Sequence, residues 1–126
     1  MADPSQSALS VDERALLERF VAILEARLGE RLQAVWLFGS RARGDIDRSD
    51  DSDVDVLVIA DDASWQSKVE IRSALDVAAR ELALARVAWS FSVHVQTPEW
   101  LRQRREIRSF FIAEVDRDKI VLSGQA

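Results

Sequence analysis

The sequence predicts an α/β (α+β) domain in which a small mixed β-sheet has helices packed on it. Two apolar runs, 32–38 and 54–59, are as continuously apolar as strands that are covered on both faces. Segments with apolar residues at helical spacing precede, separate and follow these runs. The chain has 126 residues, a length that favours one domain with one core.

The first helix has a clear start signal. Ser10 followed by Glu13 forms a capping-box pattern, and the apolar periodicity that follows is expected to end near Gly29. Residues 1–9 are expected to form a disordered tail, and residues 10–124 a single domain.

The remaining elements alternate between helices and strands. After the first strand we expect a short helix, a polar loop, the second strand, a long helix, a third strand with one apolar face, a helix, a final helical turn and a last short strand. The short helix is expected from Ser40 onward, the polar loop at 45–52, the long helix at 64–85 and the third strand at 87–95. The next helix is expected from Pro98 onward with Thr97 as its cap, the final helical turn at 109–115 and the last strand at 120–122.

Composition excludes several classes of function. The sequence has no cysteine, so it can form neither a disulfide framework nor a thiolate site. No apolar run approaches the length of a membrane span, and nothing resembles a signal peptide, so we expect a cytoplasmic protein. The net charge of −5 argues against broad binding to nucleic-acid phosphates. One basic cluster is expected to be a solvated helix face, with an acidic partner or RNA as the alternative. It comprises Arg102, Arg104, Arg105 and Arg108.

A turn suited to phosphate follows the first strand. At Gly39-Ser40 a starting helix would present backbone N–H groups, which favour phosphate together with the helix dipole. Arg41 and Arg43 would add charge-assisted hydrogen bonds to the same group. Gly39 as a turn residue and Ser40 as a helix cap are structural roles that are compatible with this one.

Two carboxylates lead the second strand. Asp53 and Asp55 are two residues apart, so they are expected on the same side of the sheet. Their oxygens suit Mg²⁺, whose coordination shell substrate phosphates can complete. A calcium loop starting at Asp51 is a poor alternative, because Val56 stands where that loop needs glycine.

Segments 38–44 (FGSRARG) and 51–58 (DSDVDVLV) resemble the Gly-Ser and Asp-x-Asp motifs of the minimal nucleotidyltransferase (MNT) family, a branch of the DNA polymerase β-like superfamily. Thr97-Pro98-Glu99 is similar to a segment that many members carry after their third strand. The resemblance covers most of the chain and implies the minimal nucleotidyltransferase fold.

The resemblance also implies an activity. It is the metal-dependent transfer of a nucleoside monophosphate from a triphosphate, with ATP as the expected donor, to an acceptor hydroxyl. Asp53 and Asp55 would be the catalytic residues that bind Mg²⁺ or Mn²⁺. The residues implied to bind the nucleotide are Gly39, Ser40, Arg41 and Arg43.

Two departures from the family pattern leave alternatives open. The usual spacing after the serine selects Asp51 and Asp53 as the metal pair, whereas the start of the apolar strand selects Asp53 and Asp55, which we favour. Catalytic members also carry a third carboxylate on a later strand, where this chain has His94, a poor ligand for Mg²⁺. Either another acid completes the site, or the metal pair is weak, or activity has been lost. A lone histidine at such a position is most often solvated.

Many small relatives are antitoxins that bind a helical HEPN ribonuclease toxin and adenylylate it on a tyrosine. The resemblance therefore implies a HEPN-type protein partner, and a homo-oligomer stays open. The competing hypothesis is a catalytically silent binding module that neutralises or scaffolds a partner protein. A stand-alone enzyme acting on a small molecule is less favoured, because no substrate lobe is evident.

Overall fold

The computed structural model describes residues 8–44 and 53–126. These residues form six α-helices and four β-strands, and a short 3-10 turn, Gly29–Arg31, joins the first helix to the first strand. The helices are α1 (Val11–Leu28), α2 (Ser40–Arg43), α3 (Trp65–Leu82), α4 (Ala85–Ala88), α5 (Pro98–Glu106) and α6 (Phe110–Asp118). The strands are β1 (Leu32–Phe38), β2 (Val54–Ala60), β3 (Phe91–Gln96) and β4 (Ile120–Gly124).

The strands form one mixed sheet in the order β3-β2-β1-β4. β1 pairs antiparallel with both β2 and β4, while β2 pairs parallel with β3. The two strands that carry the motifs are therefore the central ones, and the predicted small mixed sheet with packed helices is confirmed.

The two faces of the sheet are buried by different helices. On one face, Val54, Val56 and Val58 are fully buried in a core that contains the apolar sides of α1 and α3. On the other face, Leu57 and Ile59 join a smaller core with side chains from α5 and α6. Because neighbouring residues of a strand point to opposite faces, Asp55 lies on the side of the smaller core.

The capping box predicted for α1 is present. The backbone N–H of Glu13 donates to Ser10 Oγ at 3.1 Å, and the backbone N–H of Ser10 donates to Glu13 Oε1 at 2.9 Å. The helix ends at Leu28, and Gly29 follows with a φ of 53°, which a residue with a side chain rarely adopts.

The third strand starts later than its alternating pattern predicts. Residues 85–88 form the short helix α4, and β3 begins only at Phe91. Ala88 is buried within the core beneath α1 and α3, whereas Trp89, expected on the apolar side of a strand, is 77% exposed. Packing of α4 onto the two long helices overrides the local alternation, so the prediction of a strand from Val87 was wrong in its first part.

Two predicted segments lie outside the described residues: the polar loop 45–52, and the tail 1–9 except for Ala8 and Leu9. Ala8 donates its backbone N–H to Arg41 O at 2.8 Å, and Leu9 packs against the larger core. Within the described part of the chain, no helix is both long and apolar enough to cross a membrane.

Gly124 fixes the edge strand β4 against β1, and its replacement by alanine is expected to be costly. Gly124 has a φ of 73°, and a Cβ there would collide with the carbonyl group of Gln33. That carbonyl also accepts the backbone N–H of Gln125 at 3.1 Å. We expect Gly124→Ala to lower the free energy of unfolding by about 3 kcal/mol in urea denaturation.

Gly29→Ala is the matched control, because Gly29 also has a positive φ but no atom lies within 4 Å of the position that its Cβ would take. It should cost only the backbone strain, about 1–2 kcal/mol. Equal losses in the two variants would show that the contact of Gly124 with Gln33 contributes nothing.

Candidate functional site

The register of the central strands brings the two motif segments together. Phe38, the last residue of β1, pairs with Asp55 near the start of β2, and Asp55 pairs in turn with Ser92 of β3. Gly39 follows Phe38 directly, so the turn after β1 and the carboxylate of β2 are neighbours at one end of the sheet.

Gly39 is needed where the backbone approaches this carboxylate. It has a φ of 76°, and a Cβ built on it would lie 2.6 Å from Asp55 Oδ2. Any side chain at this position would therefore displace the Asp55 carboxylate and strain the backbone. The glycine predicted as part of a phosphate-binding turn also provides the space that Asp55 occupies.

The Asp55 carboxyl lies half-buried in a field of charged neighbours. Burial raises the pKa of Asp55 above its ordinary value, because the ionised form loses hydration. The charges of three residues act to lower this pKa: His94, Arg41 and Arg43. Asp53 acts to raise it, and the net effect is a raised pKa, with burial as the largest cause. The predicted site residues His94, Asp53, Arg41 and Arg43 therefore all act electrostatically on one carboxylate.

The structure describes one of the two alternative carboxylate pairs. Asp53 is exposed just before β2 and acts on the charge of Asp55, whereas Asp51 lies outside the described residues. Within 8–44 and 53–126 no group of three or more acidic, histidine or cysteine side chains is arranged to hold a metal ion. The described donor set is therefore a pair of carboxylates with a histidine nearby.

His94 occupies the position where the family resemblance implies a third carboxylate. It pairs with Leu57 of β2 and shares the sheet face of Asp55. Its ring centroid lies 5.6 Å from that of Phe38, and its Nε2 lies 3.2 Å from Ser92 Oγ. His94 is exposed, so it is in contact with solvent as well as with the site.

Arg41 is directed toward α1 and is buried there. Its Nη1 lies 2.5 Å from Glu13 Oε1 and also donates to the Ala8 carbonyl at 3.2 Å. Burial acts to raise the pKa of Glu13, but hydrogen bonds from Arg41 and from the Ser10 backbone outweigh it and hold that pKa below its ordinary value. The sequence showed the capping role of Glu13 but not this ion pair, which ties α2 to α1.

Ser40 and Arg43 mark the beginning and the end of α2. The expectation that Ser40 caps this single turn was wrong, because Gly39 is its N-cap and Ser40 its first residue. The Gly39 carbonyl accepts the backbone N–H groups of Ala42 and Arg43 at 3.1 and 3.2 Å. Arg43 is exposed, and its charge lowers the pKa of both Asp55 and Asp118. Of the two predicted arginines, Arg43 is the one with an exposed side chain beside Asp55.

The basic cluster on α5 interacts largely within the chain. Arg105 makes two hydrogen bonds to Asp116 at 3.0 and 2.7 Å and lies over the Trp36 ring. Arg104 lies over the Trp100 ring. Arg102 is within 3.9 Å of Glu99 and of Glu106. Arg102, Arg104 and Arg105 therefore contact acidic or aromatic side chains of the same chain, while Arg108 lies beyond the end of α5.

A groove of about 550 Å³ runs between α3 and β3, on the edge of the sheet. Trp65 and Val69 are exposed along it, and it reaches His94. His94 is therefore a residue that the groove and the candidate site share.

Comparison with known proteins assigns this arrangement to a family. The family model described as "Polymerase beta, Nucleotidyltransferase" matches residues 21–97, more than half of the chain and both motif segments. No curated protein matches the sequence significantly.

Two solved structures are similar to this chain, and the first of them shares its fold. A chain in a crystal structure of a toxin–antitoxin with AMP-PNP is 22% identical, with a TM-score of 0.51, over 86% of this chain and 73% of that chain. A chain in a crystal structure of a mutant MntA-HpeT toxin–antitoxin is 21% identical, with a TM-score of 0.49, over 86% of this chain and 73% of that chain. At these identities the likeness concerns the fold alone.

The ion pair between Glu13 and Arg41 is expected to be important for stability. Glu13→Gln would remove the negative charge that contacts the buried guanidinium of Arg41, so we expect a loss of about 2–3 kcal/mol in the free energy of unfolding at pH 7. Glu18→Gln, at an exposed position of the same helix, should change it by less than about 0.5 kcal/mol.

The difference between wild type and Glu13→Gln should also depend on pH. Because the pKa of Glu13 is lowered by folding, its stabilising effect is complete above the ordinary pKa near 4.5 and is lost as the pH falls through the lowered value. Urea denaturation from pH 3 to pH 7 measures this. A difference that stays constant over the whole range would contradict the ion pair.

Proposed function

We propose that this chain, which belongs to the polymerase beta nucleotidyltransferase family, transfers AMP from ATP to an acceptor hydroxyl. The observation that carries the proposal is the Asp55 carboxylate, half-buried against Gly39 with a raised pKa. A carboxylate kept in such a place, at the junction of the two family motifs, has a functional rather than a stabilising role.

The donor set fits a divalent cation. Asp53 and Asp55 offer hard oxygen ligands two residues apart, and the raised pKa of Asp55 is what an added positive charge would relieve. We propose that these two residues hold Mg²⁺ or Mn²⁺, with substrate phosphates completing the coordination. The chemistry supplied by the bound ion is activation of the α-phosphate and neutralisation of the leaving pyrophosphate.

The chain's own residues bind and orient the triphosphate. The exposed Arg43 is placed to donate charge-assisted hydrogen bonds to phosphate oxygens beside Asp55. Gly39 and Ser40 form the turn that approaches the phosphates without an intervening Cβ at Gly39. Arg41 is expected to act through its ion pair with Glu13, which fixes the position of α2, in addition to its charge.

The acceptor is expected on a partner protein. We propose a HEPN-type helical partner, with this chain acting as the antitoxin of a toxin–antitoxin pair and modifying a hydroxyl of the toxin. The family resemblance of the motifs supports this role, as does the shared fold with the toxin–antitoxin chain solved with AMP-PNP.

A catalytically silent partner-binding module is the second candidate. His94 in place of a third carboxylate favours it, and so does the groove between α3 and the edge strand β3, where Trp65 is 79% exposed. In that case the fold would cover a partner protein without transferring a nucleotide.

A variant that lacks both carboxylates distinguishes nucleotide transfer from silent partner binding. We expect Asp53→Asn/Asp55→Asn to weaken binding of Mg²⁺–ATP by at least about 100-fold in isothermal titration calorimetry, because both proposed metal ligands lose their charge. Burial of the charged Asp55 costs stability at pH 7, so the variant should melt at a temperature no lower than that of wild type.

Asp61→Asn is the control at the other end of β2, where Asp61 accepts a hydrogen bond from Gln33 at 2.8 Å. It should bind Mg²⁺–ATP as wild type does. Retention of Mg²⁺-dependent binding in the double variant would show that the metal site lies elsewhere. Absence of nucleotide binding in wild type with either metal would favour the silent module.

A further inference from the structure

Four aromatic rings form a continuous row on the sheet face of Asp55. Phe38 lies within the row, and its ring centroid is 5.6 Å from those of both His94 and Phe111. Phe111 in turn lies 6.5 Å from Trp100, whose ring is covered by the guanidinium of Arg104. We call His94, Phe38, Phe111 and Trp100 the aromatic wall.

The aromatic wall begins beside the candidate catalytic carboxylate. Phe38 is the pairing partner of Asp55 on the neighbouring strand and faces the same side of the sheet. On the other flank, His94 is close enough to Asp55 to lower its pKa. The wall therefore starts where the reacting phosphate is proposed to bind and runs outward to α5 and α6.

The rings of the wall differ in their exposure to solvent. Phe38 is only 7% exposed, so it supports the other rings rather than offering a face of its own. Phe111 is 44% exposed, and its edge-to-face contact with Phe38 at an interplanar angle of 88° fixes its orientation. An accessible ring held in place by other rings suits stacking of a planar ligand, because little freedom remains to be lost on binding.

We propose that the aromatic wall binds the nucleobase of the nucleoside triphosphate, with Phe111 as the main stacking residue. This inference rests on the proposed function. The α-phosphate must lie at Asp53 and Asp55, and the base is attached to it through one ribose. The wall includes Phe38, the pairing partner of Asp55, so it offers an aromatic surface on the side where the α-phosphate is proposed to bind.

This placement favours the base of the donor over an aromatic ring of the acceptor. The donor's base is fixed relative to the α-phosphate, whereas an acceptor approaches from the side opposite the leaving pyrophosphate. The strength of stacking depends on the area of the base and not on its hydrogen-bonding groups. Purine nucleotides should therefore bind more tightly than pyrimidine nucleotides, and ATP and GTP should bind with similar affinity.

Calorimetric titration of the full chain with two probes, each with Mg²⁺, tests the inference. ATP carries a base, whereas inorganic tripolyphosphate carries only the phosphates. We expect Phe111→Leu to weaken ATP binding by about 5- to 20-fold and to leave tripolyphosphate binding unchanged. Phe110→Leu, at the adjacent and 90% exposed position, should bind both probes as wild type does.

Phe111→Trp provides a second test that does not depend on loss of a ring. A larger π-face at this position should hold ATP at least as tightly as wild type. The inference is overturned if Phe111→Leu binds ATP as wild type does, or if it loses affinity for both probes equally, since the latter would mean that Phe111 only supports the phosphate site. Failure of wild type to bind either probe would instead overturn the proposed function, and this inference with it.

Discussion

The antiparallel pairing of β1 with β2 is the constraint on which the candidate site depends. Antiparallel neighbours place the end of one strand beside the start of the next, so Gly39 and Asp55 meet although a polar loop separates them in sequence. The register is fixed by Val54, Val56 and Val58, which are fully buried on the opposite face. A slip of one residue would turn these valines toward the smaller core and would bury the carboxylate beneath α1 and α3.

The helices of the described residues cover the two faces of the sheet unequally. The long helices α1 and α3 seal one face along its length, as the extent of the larger core shows. The shorter α5 and α6 cover the other face around Trp36, whose ring contacts Lys119 and whose indole N–H donates to the Gln125 carbonyl. Nearer to Asp55, the same face carries the solvent-accessible rings of His94 and Phe111.

The sequence predicted those parts of the molecule that depend on local pattern. The capping box of α1, the bounds of β1 and the start of β2 followed from residue type and periodicity, because each is set by neighbours within a few positions. The start of β3 did not, since α4 is held by packing on α1 and α3. The different surroundings of Arg41 and Arg43 were equally hidden, because they depend on where α1 lies. Adjacent phenylalanines at 110 and 111 were visible in the sequence, but only the fold places one of them against Phe38.

Burial acts on the pKa values of two acidic side chains, Glu13 and Asp55, in the same direction but with different net results. Burial acts to raise the pKa of both Glu13 and Asp55. At Glu13 the hydrogen bonds from Arg41 and Ser10 reverse the effect, so the carboxylate is fully compensated by its own chain. At Asp55 the surrounding cations do not reverse it, and Asp53 opposes them. Compensation from within stabilises a fold, whereas a carboxyl whose pKa stays raised is relieved by a proton or by a bound cation. The difference between these two carboxylates is therefore the strongest physical reason to assign binding to one end of this sheet and structural support to the helix beside it.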